Sequence, residues 1–506
     1  MTAVRNCRRV YYMIYLSHAL SAWGDRMWDF AVGLYMVILF PDSLLLTAVL
    51  GFSISLAVTT FGGPLGTWID KTKRITSATV SIIVQNAAVI LGSTALALTF
   101  AFSDEIQQVW NGSLQTLIYA FIIFVSVIAK LASVTSDIAI ERDWIVILTD
   151  GDESSLATMN SVMRTIDLTT KILAPLAIGT LLTYWSQMSG AIFIAIWNLI
   201  SGFVEIYLLV IIYGDIPQLR LKHIDTENEP GRRSRNAIKE CWGGWRQYLM
   251  HPIKWAGIGF SCLYMTVLGF DQTTTGYMYS QGVDESFIGI TTSLGAITGI
   301  IGSVSYPFLR RCCGKNSTTL IGYVSNAACF FICVVSIFTP GSPFDPTAIV
   351  NPFGKLNATA VQQEKFSIAE LWEQRQNMFY FVAGIVFARF GLWVTDLSIS
   401  QLLQDSVEES KRGVINGVQN SINQSMDLIK FVFVIFLPSP QTFGYLIILT
   451  WIFSILGCLL HCLYLFRSRS HDGHGKDSTI GQLLEKDESN SMEKPKTERT
   501  PLLPTK

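Results

Sequence analysis

The chain has 506 residues, of which 50% are hydrophobic and only 15% are charged, and its formal net charge is −1. A soluble protein carries about 25% charged residues, so this composition excludes an ordinary soluble protein. The near-zero net charge gives no indication of a nucleic-acid partner. We predict an all-α polytopic membrane protein embedded in a lipid bilayer.

Twelve mainly apolar stretches are long enough to cross a bilayer as helices. They lie at 10–39, 43–68, 76–101, 114–139, 157–185, 189–213, 254–281, 287–309, 317–339, 376–402, 413–438 and 441–466. A charged loop divides six spans from six, which is the layout of a two-lobed secondary transporter. The predicted domains are an N-lobe at 1–213, a cytosolic linker at 214–253, a C-lobe at 254–466 with an outer loop at 340–376, and a disordered cytosolic tail at 467–506.

Basic residues concentrate on one side of this topology, as in DKTKR at 70–74, whereas the connections at 41–42 and 185–190 carry none. The positive-inside rule then places both termini in the cytosol. Asn111 in NGS and Asn357 in NAT lie on the outer side and are usable glycosylation sequons. The plasma membrane is the default location for such a protein.

The tail ends in ERTPLLP, where Glu498, Leu502 and Leu503 match an acidic dileucine trafficking signal. Such a signal would bind trafficking adaptors and leaves an endolysosomal route open. A chance match is the alternative.

Span one contains AWGDRMWDF at 22–30, with two aspartates and an arginine in an otherwise apolar segment. Charge at that depth costs roughly 2.5 to 3.5 kcal/mol per residue. Residues four and seven apart share a helix face, so His18, Asp25 and Asp29 form one stripe. This stripe can bind a divalent cation or relay protons; a structural ion pair of Asp25 with Arg26 or another partner is the alternative.

Polar side chains recur in two further spans of the first half. Span three contains Gln85 and Asn86, and span six contains Asn198 and Glu205, seven residues apart. Together with Asp25 they supply two carboxylates and three amide oxygens, the hard-oxygen set that calcium favours. Hydrogen bonds between helices are the alternative.

In the second half, span seven reads LGFDQTTTGY, where Gly269 and Gly276 flank Asp271. This composition favours unwinding of the helix near the middle of the membrane, where transporters place substrate sites. Span eleven carries Asp427 and Lys430 on one face. A mutual ion pair is the alternative to a functional role for these two.

Charged residues also cluster at the cytosolic ends of several spans, and we predict that they act as gates between the lobes. They are Asp70, Asp143, Asn160, Arg164, Asp167 and Arg412. Asp70 belongs to GTWIDKTKR at 66–74, which resembles the loop between spans two and three of the major facilitator superfamily. Ordinary solvated helix ends are the alternative.

Several blocks of the chain resemble the ferroportin family, the solute carrier family 40 iron exporters. They include SAWGDRMWDFAV, DSLLLTAV, ERDWIV, LYMTVLGFD with TTGY, GAITGIIG, FTPGSP and RGVINGVQNS. The resemblance implies a major facilitator fold that exports ferrous iron by alternating access, with cobalt, zinc or manganese as secondary substrates and protons as counter-ions. It implies no prosthetic group, but a calcium ion as a possible regulator.

The resemblance also implies roles for individual residues. The family's N-lobe metal site matches at Asp25, with Asp29 where the family often has histidine. The calcium set matches at Asp25, Gln85, Asn86, Asn198 and Glu205, and the gating charges match at Asp143, Asn160, Arg164, Asp167 and Arg412.

The C-lobe departs from the family pattern. Vertebrate ferroportins have cysteine directly after the LGFD aspartate and histidine in span eleven, whereas this chain has Gln272 and Lys430. Glutamine is a weak ligand for ferrous iron, and a protonated lysine is none. We expect this site to be lost or rebuilt around Asp271, and binding of the peptide hormone hepcidin, which uses that cysteine, is not expected.

Two hypotheses follow from this departure. Transport depends on the N-lobe site alone, and Lys430 acts as a tethered cation that alternates with metal or proton. Two other functions stay open: transport of another divalent metal or a small organic cation, and calcium sensing without transport. No GxSxG, HExxH or Walker motif is present, so an enzyme is not expected.

Overall fold

The computed structural model describes residues 2–41, 43–149, 152–221, 245–350, 375–407 and 409–491, without the side chains of some residues in these ranges. The principal helices are α1 (Thr2–Leu39), α2 (Leu45–Lys71), α3 (Arg74–Ala101), α4 (Ser113–Asp137), α5 (Glu153–Tyr184), α6 (Gln187–Asp215), α7a (Lys254–Ser261), α7b (Gln272–Ser280), α8 (Glu285–Cys313), α9 (Lys315–Ile337), α10 (Gln376–Ser406), α11 (Glu409–Phe436) and α12 (Phe443–Ser491). Short helical segments occupy Ser103–Gln108, Val109–Gly112, Ile138–Trp144, Ile145–Leu148, Pro217–Arg220, Cys262–Met265 and Pro346–Val350.

Nine helices of the described chain are long and apolar enough to cross a membrane. They are α2 to α6, α8 to α10 and α12. The other predicted spans correspond to α1 with Asp25 and Asp29, the α7 pair with Asp271, and α11 with Asp427 and Lys430. The chain is a multi-pass membrane protein.

The helices pack as two halves. In the first half α3 contacts α4 and α6, and α1 contacts α5 and α6; in the second, α9 contacts α10 and α12. Four pairs of helices join the halves in the described chain, namely α1 with α7b, α2 with α7b, α2 with α11, and α5 with α8. This architecture confirms the predicted all-α fold class with two six-helix lobes.

Span seven is broken in its middle, as the sequence predicts. Asp271 caps α7b by accepting hydrogen bonds from the backbone amides of Thr273 and Thr274, both at 3.1 Å. Phe270 just before it has a φ of 52°, in the left-handed region that non-glycine residues rarely adopt. The break therefore places the Asp271 carboxylate at the start of a half-helix.

The unwound backbone keeps its polar groups bonded, as a membrane interior requires. Thr274 donates its hydroxyl to the Val267 carbonyl, and the Gly269 amide donates to Thr274 Oγ1 at 3.1 Å. Arg389 of α10 donates to the Leu268 carbonyl at 2.8 Å. The break is thus held by side chains of two helices and is a fixed part of the fold.

The halves are joined at the end predicted to face outward. Glu285, fully buried at the start of α8, accepts a hydrogen bond from Gln187 of α6 at 2.7 Å. The Ser286 amide donates to Thr183 of α5 at 2.9 Å, and the Leu44 amide donates to the Pro438 carbonyl at 2.7 Å. These contacts close the outer end of the interface.

Two glycines allow α5 and α8 to touch there. A Cβ on Gly179 would lie 2.6 Å from the Glu285 carbonyl oxygen, and one on Gly289 would lie 2.6 Å from the Pro175 carbonyl oxygen. Both obstacles are backbone atoms, so a larger residue could be fitted only by moving a helix.

Some predicted features differ from the structure or lie outside it. Helix α12 runs to Ser491, whereas the sequence predicts an apolar span ending at 466 and a disordered tail. Hydropathy marks where a helix leaves the membrane, not where its backbone pairing ends, and the first proline after the span is Pro495. Outside the described residues lie 222–244, 351–374 with Asn357, and the tail residues Glu498, Leu502 and Leu503.

Candidate metal centre

The two aspartates of span one lie one turn apart on α1 and have different partners. Gln85 of α3 donates its amide to Oδ1 of Asp25, and Ser133 of α4 donates its hydroxyl to Oδ2. Asp29 instead binds Lys130 of α4, with 3.0 Å between Nζ and Oδ2. A metal ion bound to these carboxylates would therefore have to displace Gln85 and Lys130.

The amides predicted for the calcium set are oriented with their carbonyl oxygens away from their own helices. Asn86 and Asn198 each donate Nδ2 to the backbone carbonyl four residues earlier, at 2.9 Å in both cases. A Cβ on Gly24 would lie 3.1 Å from Oδ1 of Asn198, and one on Gly202 would lie 3.0 Å from Cγ of Asn86. The helices α1, α3 and α6 thus approach one another around these amides.

Glu205 completes this group and is fully buried. Its carboxylate lies beside the hydroxyls of Ser21 and Ser201, but neither oxygen makes a hydrogen bond of good geometry among the described residues, and neither does the buried Oε1 of Gln85. Leaving such groups unpaired in an apolar interior is costly. A half-turn of the Gln85 amide would also aim its oxygen at Asp25, so the donor set fits a hard cation.

The predicted gating residues and His18 are bound mainly within the first half. His18 Nε2 lies 3.0 Å from Oδ1 of Asp167 on α5, so this imidazole is engaged there rather than with Asp25 or Asp29. Asp143 lies in the π-helix that extends α4 and binds Arg74 of α3 at 2.9 Å.

The remaining gating candidates differ in their surroundings. The Arg164 guanidinium lies 5.9 Å from the ring centroid of Trp393 on α10 and so contacts the second half. Asn160 is exposed on α5. Asp70 and Arg412 lie in α2 and α11, and Asn111 lies in the short helical segment Val109–Gly112, but their side chains are outside the described part of the chain.

In the second half, Lys430 holds two carboxylates. Its Nζ lies 3.0 Å from Oδ2 of Asp271 and 2.7 Å from Oδ1 of Asp427, and its side chain is only 7% exposed. Ser55 of α2 donates to the other oxygen of Asp427 at 2.7 Å. The ion pair that the sequence left as an alternative is present, and it extends to Asp271.

Gln272 lines the cavity between the halves together with Asp271 and Asp29. Its side chain packs on α1, where a Cβ added to Gly33 would lie 3.0 Å from Cγ of Gln272. The residue therefore contributes to the contact between the halves.

Two cavities connect these groups. One of about 290 Å³ in the second half is lined by Asp271, Asp396, Asp427, Arg389 and Lys430, among others. Another of about 220 Å³ lies between the halves and is lined by Arg26, Asp29, Lys171, Phe270 and Asp271, among others. Asp271 lines both cavities, so the two candidate sites open onto adjoining space.

Sequence reasoning missed three partners of these sites. Lys130 and Ser133 occur as KLAS in span four, and Arg389 lies in span ten. Lys130 and Arg389 could have been identified from the sequence, because a charged side chain inside an apolar span is by default a functional or paired group. Ser133 has no comparable signal, since serine is common within membrane helices.

Comparison with known proteins decides the family. The model described as Ferroportin1 (FPN1) matches residues 8–453 of the chain. The chain belongs to the ferroportin family. The chain is 38% identical to Ferroportin of Homo sapiens, covering 89% of this chain and 90% of that one. It is 36% identical to solute carrier family 40 member 1 of Danio rerio, covering 90% and 92%.

Solved structures show the same fold. The inward-facing structure of a bacterial homologue of the iron transporter ferroportin has a TM-score of 0.71 and 22% identity, covering 90% of this chain and 98% of that one. The nucleoside transporter NupG has a TM-score of 0.55 and 11% identity, with 90% and 99% covered. Ferroportins are membrane transporters, so this chain is a transporter and not an enzyme.

Proposed function

We propose that this ferroportin exports ferrous iron from the cytosol by alternating access and that the metal binds Asp25 and Asp29. The observation that carries the proposal is the position of Asp29, on the cavity between the halves and one turn from Asp25. Carboxylates in this position face the space that alternating access would expose to each side in turn. The contacts at the outer end, including Glu285 with Gln187, leave this cavity closed on that side.

The second half would bind metal weakly, because Lys430 already holds Asp271 and Asp427. A lysine ammonium is not a ligand, and the Cβ and Cγ of Gln272 pack against α1. Transport would then depend on the N-lobe site, with protons as counter-ions. Gln272 stands where vertebrate ferroportins have the cysteine that hepcidin uses, which supports the expectation that hepcidin does not bind.

The test is flux of metal into proteoliposomes that contain the purified full-length chain, with internal and external pH varied. Fe²⁺ should enter at a rate well above that of empty liposomes, and a pH gradient should change that rate. Calcium binding without flux of any divalent metal would instead identify a sensor.

One observation favours a second substrate. The donors at the N-lobe site are oxygen atoms, since His18 is bound to Asp167. Oxygen ligands suit Mn²⁺ better than soft metals. Competition of Mn²⁺, Zn²⁺ and Co²⁺ with Fe²⁺ in the same vesicles ranks these substrates.

For the cell, we propose the plasma membrane with both termini in the cytosol. The basic loop at 70–74 and the absence of Lys and Arg at 185–190 support this orientation. Glycosylation of Asn111 and Asn357 would report it directly, because only outer-side sequons are modified.

We further propose that Ca²⁺ binds the oxygen set around Glu205 and regulates transport. Glu205→Gln should weaken Ca²⁺ binding at least about tenfold, since it removes one of two charges from the set. Asn198→Asp adds a charge and should strengthen it. Calorimetry with the purified chain measures both; equal affinities in the two variants and the wild type would place calcium elsewhere.

A further inference from the structure

A second intramembrane lysine sits at the candidate metal site of the first half. Lys130 of α4 places its ammonium 3.0 Å from Asp29, and each of the two side chains is 29% exposed. A metal ion that binds Oδ2 of Asp29 would compete with Lys130 for the same oxygen. Neither the family assignment nor the proposed transport gives Lys130 a role.

The pair is one of two neighbouring side-chain contacts between the antiparallel helices α1 and α4. Asp25 and Asp29 are four residues apart on α1, and Ser133 and Lys130 are three residues apart on α4. Ser133 donates a hydrogen bond to Asp25, and one helical turn further along Lys130 binds Asp29. Ser133 and Lys130 thus each contact one carboxylate. Of the two carboxylates, Asp29, which binds the lysine, lines the cavity.

The second half has the same arrangement. There Lys430 lies 3.0 Å from Asp271 and 2.7 Å from Asp427. In both halves, therefore, a lysine ammonium compensates carboxylates that line a cavity. Carboxylates left without a cation at this depth would be strongly unfavourable.

We propose that Lys130 is a tethered cation that occupies Asp29 in the metal-free transporter and is displaced by the entering metal. This inference rests on the proposed function. A divalent ion carries twice the charge of the ammonium and can also bind Asp25, so it wins the competition at sufficient concentration. When the metal leaves, Lys130 returns to Asp29, and the empty site stays neutralised while the transporter changes state.

Lys130 therefore sets the affinity for metal and promotes its release. Replacing it with glutamine removes the competitor and should tighten binding of Co²⁺ at least about tenfold, because a charge at this distance in a partly buried site is worth more than that factor. Metal flux should fall, since bound metal leaves more slowly. Lys130→Arg should weaken the binding of Co²⁺, because a guanidinium can hold the Asp29 carboxylate with two hydrogen bonds.

The experiment is calorimetric titration of the purified full-length chain with Co²⁺, for wild type, Lys130→Gln and Lys130→Arg. Lys171→Gln is the matched control: Lys171 lines the same cavity but lies 5.8 Å from the ring centroid of Trp393 instead of on a carboxylate. Its effect on affinity should be clearly smaller than that of Lys130→Gln, because its ammonium is farther from a carboxylate. The tightening caused by Lys130→Gln should also disappear when Asp29 is replaced by alanine.

The outcomes separate this inference from the proposed function. Tighter binding in Lys130→Gln and weaker binding in Lys130→Arg support the tethered cation. If wild type binds Co²⁺ and both variants bind it equally well or change in the same direction, the tethered cation is refuted and metal transport still stands. If Lys130→Gln does not fold, Lys130→Arg decides alone, and unchanged or tighter binding overturns the inference. Absence of Co²⁺ binding together with absence of Fe²⁺ flux in wild-type proteoliposomes would refute the proposed function itself.

Discussion

Metal flux should fall to the level of empty liposomes when Asp25 and Asp29 are both replaced by alanine. The change removes the two carboxylates that face Gln85, Ser133 and Lys130 and leaves no anionic ligand on this part of α1. Loss of a residue that merely supports a metal ligand costs about 10- to 100-fold in affinity, so loss of the ligands themselves should exceed that range. Proteoliposomes with equal amounts of protein measure the rates.

A matched double variant distinguishes a lost ligand from a damaged fold. Asp25→Asn with Asp29→Asn keeps the shape of both side chains but removes their charge and turns one acceptor oxygen of each into an amide donor. It should also be inactive, and its thermal stability should be no lower than that of the alanine variant, which leaves Lys130 equally without its carboxylate. Export that persists in the alanine variant would mean that the metal travels through another site, with the group at Asp271 the first alternative.

A second large effect is expected at the contact between α5 and α8, at the end of the molecule predicted to face outward. Gly289→Val should hold α5 and α8 apart, because its Cβ would lie 2.6 Å from a backbone oxygen of Pro175. Overpacking of this kind costs about 1–3 kcal/mol, which shifts an equilibrium between two states about 5- to 150-fold. The protein should accumulate with its outer side open, bind metal and transport it slowly.

Distances between spin labels at the outer ends of α5 and α8 report this shift, in a background without native cysteines. Gly62→Val is the control, since a Cβ at Gly62 in α2 meets no atom within 4 Å. Label distances and flux should be unchanged there. Wild-type distances in Gly289→Val would contradict the assigned role of this contact.

The sequence predicts the local features of the site well. The break in span seven follows from the glycines and threonines around Asp271, and the shared face of Asp427 and Lys430 follows from helical spacing. These features depend on residues within one helix. Hydropathy likewise located the spans, because the length of an apolar segment is set by the bilayer.

The partners of each group could not be predicted in this way. His18 shares a face with Asp25, but its partner is Asp167, which is 149 residues away in the chain. Lys430 also reaches Asp271, 159 residues away. Such contacts depend on how helices from distant parts of the chain pack, and a single sequence contains no direct record of that packing.

The most direct test is the position of a bound metal ion. Anomalous scattering measured at the cobalt absorption edge, from crystals grown with Co²⁺, locates the ion and identifies it as cobalt. We expect a peak between Asp25 and Asp29, with Lys130 moved away from its present position 3.0 Å from Asp29. A peak found solely beside Asp271 and Asp427, with Lys130 still bound to Asp29, would contradict metal binding at the first half.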